Sequence, residues 1–132
     1  MNTASLAAFA TGLPTFAPYT TSKFAILAAS ECLALELLAG GEDIGVTALC
    51  PGVVNTRMLD AEPNRPADVP SSESDPMRQS ILGQLRSLAA GTGMDPAEVA
   101  GMVVDAIRER RFFVLTHPEE AFAAVEFAAR PH

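Results

Sequence analysis

The sequence predicts an α/β layered fold built on a parallel sheet. Three observations predict it. A long helix-periodic stretch precedes a short β-branched run, Gly45-Val46-Thr47-Ala48-Leu49-Cys50. Two more helical stretches then lead to a second short run, Phe112-Phe113-Val114-Leu115. Both runs are short and largely apolar, as strands covered on both faces are, and helices alternating with such strands imply parallel pairing.

The elements follow in chain order. A strand stub is expected at residues 1–4. Residues 6–18 are small, apolar and interrupted by Gly12, Pro14 and Pro18, which reads as a loop. A helix is expected over residues 19–39, with Thr20, Thr21 and Ser22 as candidate caps and Gly40-Gly41 as its stop. It is apolar over most of its circumference: Ala25, Leu33 and Leu37 lie on one side, and Ile26, Leu27, Leu35 and Leu38 spread over others. A helix of this kind is buried on more than one side.

The run 45–50 is the first strand, closed by Pro51-Gly52. Residues 53–76 form a long irregular loop, rich in proline (Pro63, Pro66, Pro70, Pro76) and carrying the polar run Ser71-Ser72-Glu73-Ser74-Asp75. Met77, Ile81, Leu82, Leu85 and Leu88 give residues 76–90 an amphipathic helical spacing. Asp95-Pro96-Ala97-Glu98 is a helix start, with an Asp cap, Pro in the first position and Glu in the third. That helix runs to about residue 110. The strand 112–115 follows, then a last helix over 118–130.

Composition sets the boundaries. The chain has 132 residues and 13.8 kDa, the size of one domain. Its formal charge is -7, from 16 acids against 9 bases, and Lys23 is the only lysine. No basic stripe is available for phosphates, which excludes nucleic acid as a partner, and no polybasic patch suits a membrane surface. Hydrophobic residues make up 48% and the mean hydropathy is +0.21. That load is high for so short a chain, because small domains leave much of their surface in water. The chain either packs against something or belongs to something larger.

The two cysteines, Cys32 and Cys50, have the surroundings of buried thiols and make no disulfide scaffold. No Cys/His spacing suggests a metal site. The most apolar stretch, residues 24–38, is broken by Glu31 and Glu36 and falls short of the ~20 residues of a membrane span. The N-terminus lacks the basic region of a secretory signal. A soluble, cytoplasmic protein is expected.

The chemistry centres on the sole tyrosine and the sole lysine. Tyr19 and Lys23 are one helical turn apart, on one face. A cation beside a phenol favours the phenolate and turns an inert hydroxyl into a general acid/base. Single copies placed at random fall at this spacing roughly once in a hundred. His117, between Thr116 and Pro118, reads as a surface residue. Arg108, Arg110 and Arg111 read as a solvated helix end, and Glu119 and Glu120 suit the start of the last helix.

Three ordered motifs surround the pair. Asn2-Thr3-Ala4-Ser5 precedes it, Tyr19-Thr20-Thr21-Ser22-Lys23 carries it, and Pro51-Gly52-Val53-Val54-Asn55-Thr56 follows the next strand. In these the sequence resembles the short-chain dehydrogenase/reductase family, over residues 2–58 and through the strand 112–115. The resemblance implies the C-terminal half of a doubly wound, Rossmann-like parallel sheet, incomplete in residues 1–132. It implies NAD(P)-dependent alcohol/carbonyl interconversion on a small-molecule substrate. Ser5 would hydrogen-bond the substrate oxygen, Tyr19 would carry its proton, and Lys23 would bind the nicotinamide ribose and favour the Tyr19 phenolate. Pro51, Gly52, Val54 and Thr56 would line the nicotinamide end of the cofactor, NAD or NADP. Residues 53–90 would cover the substrate. The helix 19–39 would pair with its copy in a homo-oligomer.

The sequence also departs from that family. The Gly-rich turn that holds a pyrophosphate at a helix N-terminus is missing from residues 1–132. Gly91-Thr92-Gly93 follows a helix rather than a strand and does not replace it. The family's Asn on the preceding helix is missing too, and Asn2 is no substitute. Met1 is expected to be a misread GTG-type valine codon or the edge of a fragment, which upstream DNA would decide. The chain by itself is then expected to be inactive. The alternatives are a truncated, non-catalytic remnant that self-associates or pairs with a full-length subunit without binding cofactor, and an unrelated α/β binding module.

Overall fold

A computed structural model describes residues 1–9, 13–60, 64, 66–69, 71 and 75–129. The expectations for Gly12, Pro63, Pro70, the run 72–74 and Arg130 lie outside them. Three strands, β1 (Asn2–Thr3), β2 (Ala48–Cys50) and β3 (Phe113–Leu115), form one parallel sheet in the order β1-β2-β3. Four helices accompany them: α1 (Ala17–Ala39), α2 (Pro76–Thr92), α3 (Pro96–Arg108) and α4 (Pro118–Ala128). The stub at the N-terminus is thus a true strand. Its register sets Asn2 beside Ala48 and Thr3 beside Leu49. The same register rule sets Ala48, Leu49 and Cys50 beside Phe113, Val114 and Leu115.

The chain divides into two compact units, Met1–Gly52 with Ala97–His132, and Val53–Pro96. In the first, the sheet core uses small side chains. Ala4, Ala8, Ala48 and Cys50 are buried with Leu27 of α1, and Ile26, Phe9, Phe112 and Leu115 pack at their edge. Small residues let helix and sheet backbones approach closely. Two polar ties fix α1 to β1. The Asn2 side-chain amide donates to Ser30 Oγ at 2.9 Å, and Ser30, fully buried, donates to the Ile26 carbonyl at 2.7 Å. Lys23 Nζ donates to the Thr3 carbonyl at 3.1 Å. At the other end of β2, Thr47 Oγ1 donates to the Arg111 carbonyl at 3.0 Å.

Three local expectations are corrected. First, α1 starts at Ala17, two residues early, with Pro18 in its first turn and no side-chain cap at Phe16. Proline has no N–H to lose there and its fixed φ suits the turn. Thr20, Thr21 and Ser22 therefore sit inside the helix, and Ser22 Oγ donates to the Tyr19 carbonyl instead. Second, the loop after β1 contains a 3-10 turn, Leu6–Ala8, capped by Ser5. Third, Cys32 is exposed, while Cys50 is buried as expected. The apolar pattern around α1 is real, yet only Leu27 and Ser30 are buried among its residues. Phe24, Leu33, Leu35 and Leu38 face outward.

The helix stops behave as the sequence implies. Gly41 adopts φ +71° after α1, and Gly41 N–H and Glu42 N–H donate back to the Leu38 and Leu37 carbonyls. Such a stop needs the left-handed region, which glycine enters without strain. The end of α3 has the same bonds, Arg110 to Ile107 and Arg111 to Ala106, but Arg110 holds φ +57°. Of the three arginines read as a solvated end, each has an acidic neighbour: Arg108 with Asp105, Arg110 with Asp43 and Arg111 with Glu109.

In the second unit, α2 begins after Asp75, whose carboxylate accepts from the Met77 and Arg78 N–H groups. A short 3-10 segment covers Arg57–Asp60. Val54 and Met94 form an isolated parallel bridge, with Asn55 N–H on the Met94 carbonyl and Met94 N–H on the Val53 carbonyl. Arg86 reaches Asp60 at 3.3 Å and the Leu59 carbonyl at 2.9 Å. No helix among the described residues is long and apolar enough to cross a membrane.

Candidate active site

Because the sheet is parallel, all three strands leave it at one edge, and ligands of such sheets bind beyond the carboxyl ends of the strands. The residues singled out by the sequence cluster at those exits. Ser5 follows β1, Pro51-Gly52 follow β2, and Thr116-His117 follow β3. Hydrogen bonds join the exits into a row. Leu6 N–H donates to the Pro51 carbonyl at 3.0 Å, and Gly52 N–H donates to Thr116 Oγ1 at 2.9 Å.

Tyr19 and Lys23 occupy the first turns of α1, both half-buried. Lys23 Nζ lies 5.6 Å from the Tyr19 ring centroid, within cation–π range. Phe16 meets the Tyr19 ring edge-on at 6.3 Å. The bond from Lys23 to the Thr3 carbonyl places the ammonium beside the exit of β1, two residues before Ser5. An ammonium has three donor hydrogens, so Lys23 keeps donors for a further partner.

Ser5 is buried, and its oxygen accepts from the Ala7 N–H at 3.2 Å. Its capping role in the 3-10 turn is therefore filled, and its hydroxyl hydrogen remains to be donated. The neighbouring Cys50 is no nucleophile. Burial pushes its thiol up to about 11, against a Ser5 backbone hydrogen bond and with a small addition from the Glu31 charge. Buried apolar cysteines are inert for this reason.

Val54 and Thr56 belong to the second unit. Val54 is half-buried at the bridge to Met94. Thr56 is exposed, and its Oγ1 accepts from the Met58 N–H at 3.3 Å. Among the described residues no group of His, Cys, Asp or Glu has the makings of a metal site.

The sequence reading missed one part of the row. His117 is not a free surface residue. It is half-buried, its Nδ1 lies 2.7 Å from Thr116 Oγ1, and its ring lies against Gly52. A Cβ at position 52 would fall 2.5 Å from Nδ1 and 2.8 Å from Cγ of that ring. Gly52 is therefore needed for space rather than for an unusual φ. The signal was present in the register. If Cys50 pairs with Leu115, then Pro51-Gly52 and Thr116-His117 must leave the sheet side by side.

The donors at this edge suit a ligand rich in hydroxyl and carbonyl oxygens. Lys23 and Ser5 offer hydrogens there, while the side of Gly52 that a side chain would occupy is taken by the His117 ring. They fit the ribose and nicotinamide end of a dinucleotide.

Comparison with known proteins agrees with this layout. The model of the short chain dehydrogenase family matches residues 1–66. A CLA biosynthesis dehydrogenase/reductase from Lactiplantibacillus plantarum is 35% identical over 123 residues, covering 90% of this chain and 42% of that protein. An L-2,3-butanediol dehydrogenase from Corynebacterium glutamicum is 32% identical over 103 residues, covering 78% of this chain and 38% of that protein. A crystal structure of a short chain dehydrogenase/reductase from Burkholderia phymatum in complex with NAD superposes with a TM-score of 0.86 at 30% identity, over 99% of this chain and 49% of that one. The chain spans less than half the length of each of these proteins. Its parallel sheet, its ordered motifs and these matches together make it a member of the short-chain dehydrogenase/reductase family.

Proposed function

We propose that this chain carries the proton-transfer residues and the nicotinamide-end contacts of an NAD(P)-dependent oxidoreductase that interconverts alcohols and carbonyl compounds. One observation carries the reading. Lys23 is tied to the Thr3 carbonyl and lies over the Tyr19 ring, at the edge of the sheet where Ser5 and Pro51-Gly52 emerge. The nicotinamide ring, when bound, supplies or accepts the hydride at the substrate carbon. The protein's part is the proton and the charge. In reduction, Tyr19 Oη gives its proton to the carbonyl oxygen as that oxygen gains negative charge; in oxidation the same atom takes it back. The Lys23 ammonium lies over the Tyr19 ring, and its bond to the Thr3 carbonyl holds it at the exit of β1. Ser5 donates its hydroxyl hydrogen to the same substrate oxygen. Lys23, Tyr19, Pro51, Gly52, Val54 and Thr56 are assigned to the cofactor, the last two on the family resemblance. Residues 53–90 are assigned to the substrate cover on the same ground.

The test is Tyr19→Phe in an active enzyme preparation that contains this chain. Loss of an acid/base hydroxyl is expected to cut NAD(P)H-dependent carbonyl reduction about 10²- to 10⁴-fold. Undiminished activity would contradict the reading.

The outer face of α1 favours a further proposal, self-association. Leu35 and Leu38 are 66% and 76% exposed, and Phe24 and, on another side of the helix, Leu33 are exposed as well. Apolar surface of this extent on one helix marks an interface. Leu33→Asp should lower the apparent size on gel filtration, and an unchanged size would oppose the proposal. The same face would serve a non-catalytic chain that pairs with a full-length subunit, so nucleotide binding separates the two readings.

A further inference from the structure

We propose that Thr116 and His117 are positioning residues that clamp the Pro51-Gly52 peptide and thereby fix how this turn is presented to the cofactor. The clamp stands on geometry alone; only its purpose rests on the oxidoreductase reading.

Pro51 has no N–H, so it adds no donor to the ladder beyond Cys50. Gly52 N–H is the first donor after the break. A side chain takes it: Thr116 Oγ1, at 2.9 Å. No peptide bond in the described chain is cis, so the Pro51 carbonyl and the Gly52 N–H point opposite ways. The carbonyl accepts from Leu6 N–H at 3.0 Å. The peptide plane is thus held on both sides, from the exit of β1 and from the exit of β3.

Thr116 is itself fixed. It is 6% exposed, and its hydroxyl shares a 2.7 Å contact with His117 Nδ1. A hydroxyl has two lone pairs and one hydrogen. One lone pair takes Gly52 N–H. Then either the hydrogen goes to Nδ1, or Nδ1–H fills the second lone pair. Both arrangements leave the Gly52 bond intact, and both hold the Thr116 rotamer. The His117 ring also fills the space where a side chain at position 52 would be. Glycine at 52 and histidine at 117 are therefore matched, across more than sixty residues of sequence.

The experiment is amide hydrogen exchange on the ¹⁵N-labelled 132-residue chain, followed by NADH fluorescence titration. In the wild type the Gly52 amide should be protected; exchange at the rate of an unstructured chain would overturn the clamp without any variant. Thr116→Val keeps the shape and deletes the hydroxyl. It should speed Gly52 exchange roughly tenfold or more, and Thr116→Ser should restore it. The Ala48 amide, bonded to the Phe112 carbonyl, should stay protected in both and reports an intact sheet. Equal Gly52 exchange in wild type and Thr116→Val would overturn the clamp. For its purpose, Thr116→Val should weaken NADH about tenfold, with Thr116→Ser near the wild type. Altered Gly52 exchange with unaltered NADH affinity would overturn the positioning role. Absence of NADH binding by the wild type would count against the oxidoreductase reading, and the exchange result would still decide the clamp.

Discussion

The two units of this chain secure their loops by different means. At the carboxyl edge of the sheet, the loops are bonded to one another across long stretches of sequence: Leu6 to Pro51, Gly52 to Thr116, Lys23 to Thr3. Partners there are buried or half-buried, except Thr3, which is exposed. In Val53–Pro96 the ends of the segment meet in a backbone bridge between Val54 and Met94, and an exposed ion pair, Arg86 with Asp60, ties the 3-10 segment to α2. An exposed pair of this kind contributes roughly 0–1 kcal/mol. The bridge is made by backbone groups, Asn55 N–H on the Met94 carbonyl and Met94 N–H on the Val53 carbonyl, so no side-chain substitution removes its donors or acceptors except proline. The sheet edge is cross-linked from several strands.

Two substitutions would break or sharpen this contrast. The larger effect belongs to Gly93→Ala. A Cβ there would meet the Ala89 carbonyl oxygen and come within 2.8 Å of the Asn55 N, both backbone atoms that cannot swing away. We expect a loss of about 2–3 kcal/mol, seen as cleavage within 53–96 under limited proteolysis while the sheet remains protected. Parallel loss of protection in sheet and segment would show that the second unit is not self-supporting. Arg110→Gly should have the opposite sign and a smaller size. It relieves a left-handed φ of +57° at the end of α3 at the expense of the exposed pair with Asp43. A net gain of about 0.5 kcal/mol in chemical denaturation is expected. A net loss would mean that the ion pair outweighs the backbone strain.

The sheet and the order of its elements were legible because they are written locally. The run 45–50 ends in Pro51-Gly52, residues 112–115 form a second apolar run, and Asp95-Pro96 opens a helix. The Tyr19 and Lys23 pair was legible for the same reason, since four residues along a helix is one turn. The start of α1 was not, because three hydroxyl residues competed as caps and the fixed φ of Pro18 prevailed. The exposure of Cys32 was hidden too: a helix apolar all round does not say which side the chain itself covers. Thr116 and His117 were the largest omission. Nothing near them in sequence marks them, and their partner Gly52 lies 64 residues from Thr116. Only the pairing of β2 with β3 brings them together.

The central claim is that one edge of the sheet, from Ser5 through Pro51-Gly52 with Tyr19 and Lys23 beside it, receives the nicotinamide end of the cofactor. NADH titration of the ¹⁵N-labelled chain, followed residue by residue, tests it most directly. The account predicts saturable shifts at Ser5, Leu6, Tyr19, Lys23 and Gly52, with little change along the outer face of α1 at Leu35 and Leu38. Absence of saturable binding, or shifts confined to that outer face, would contradict it.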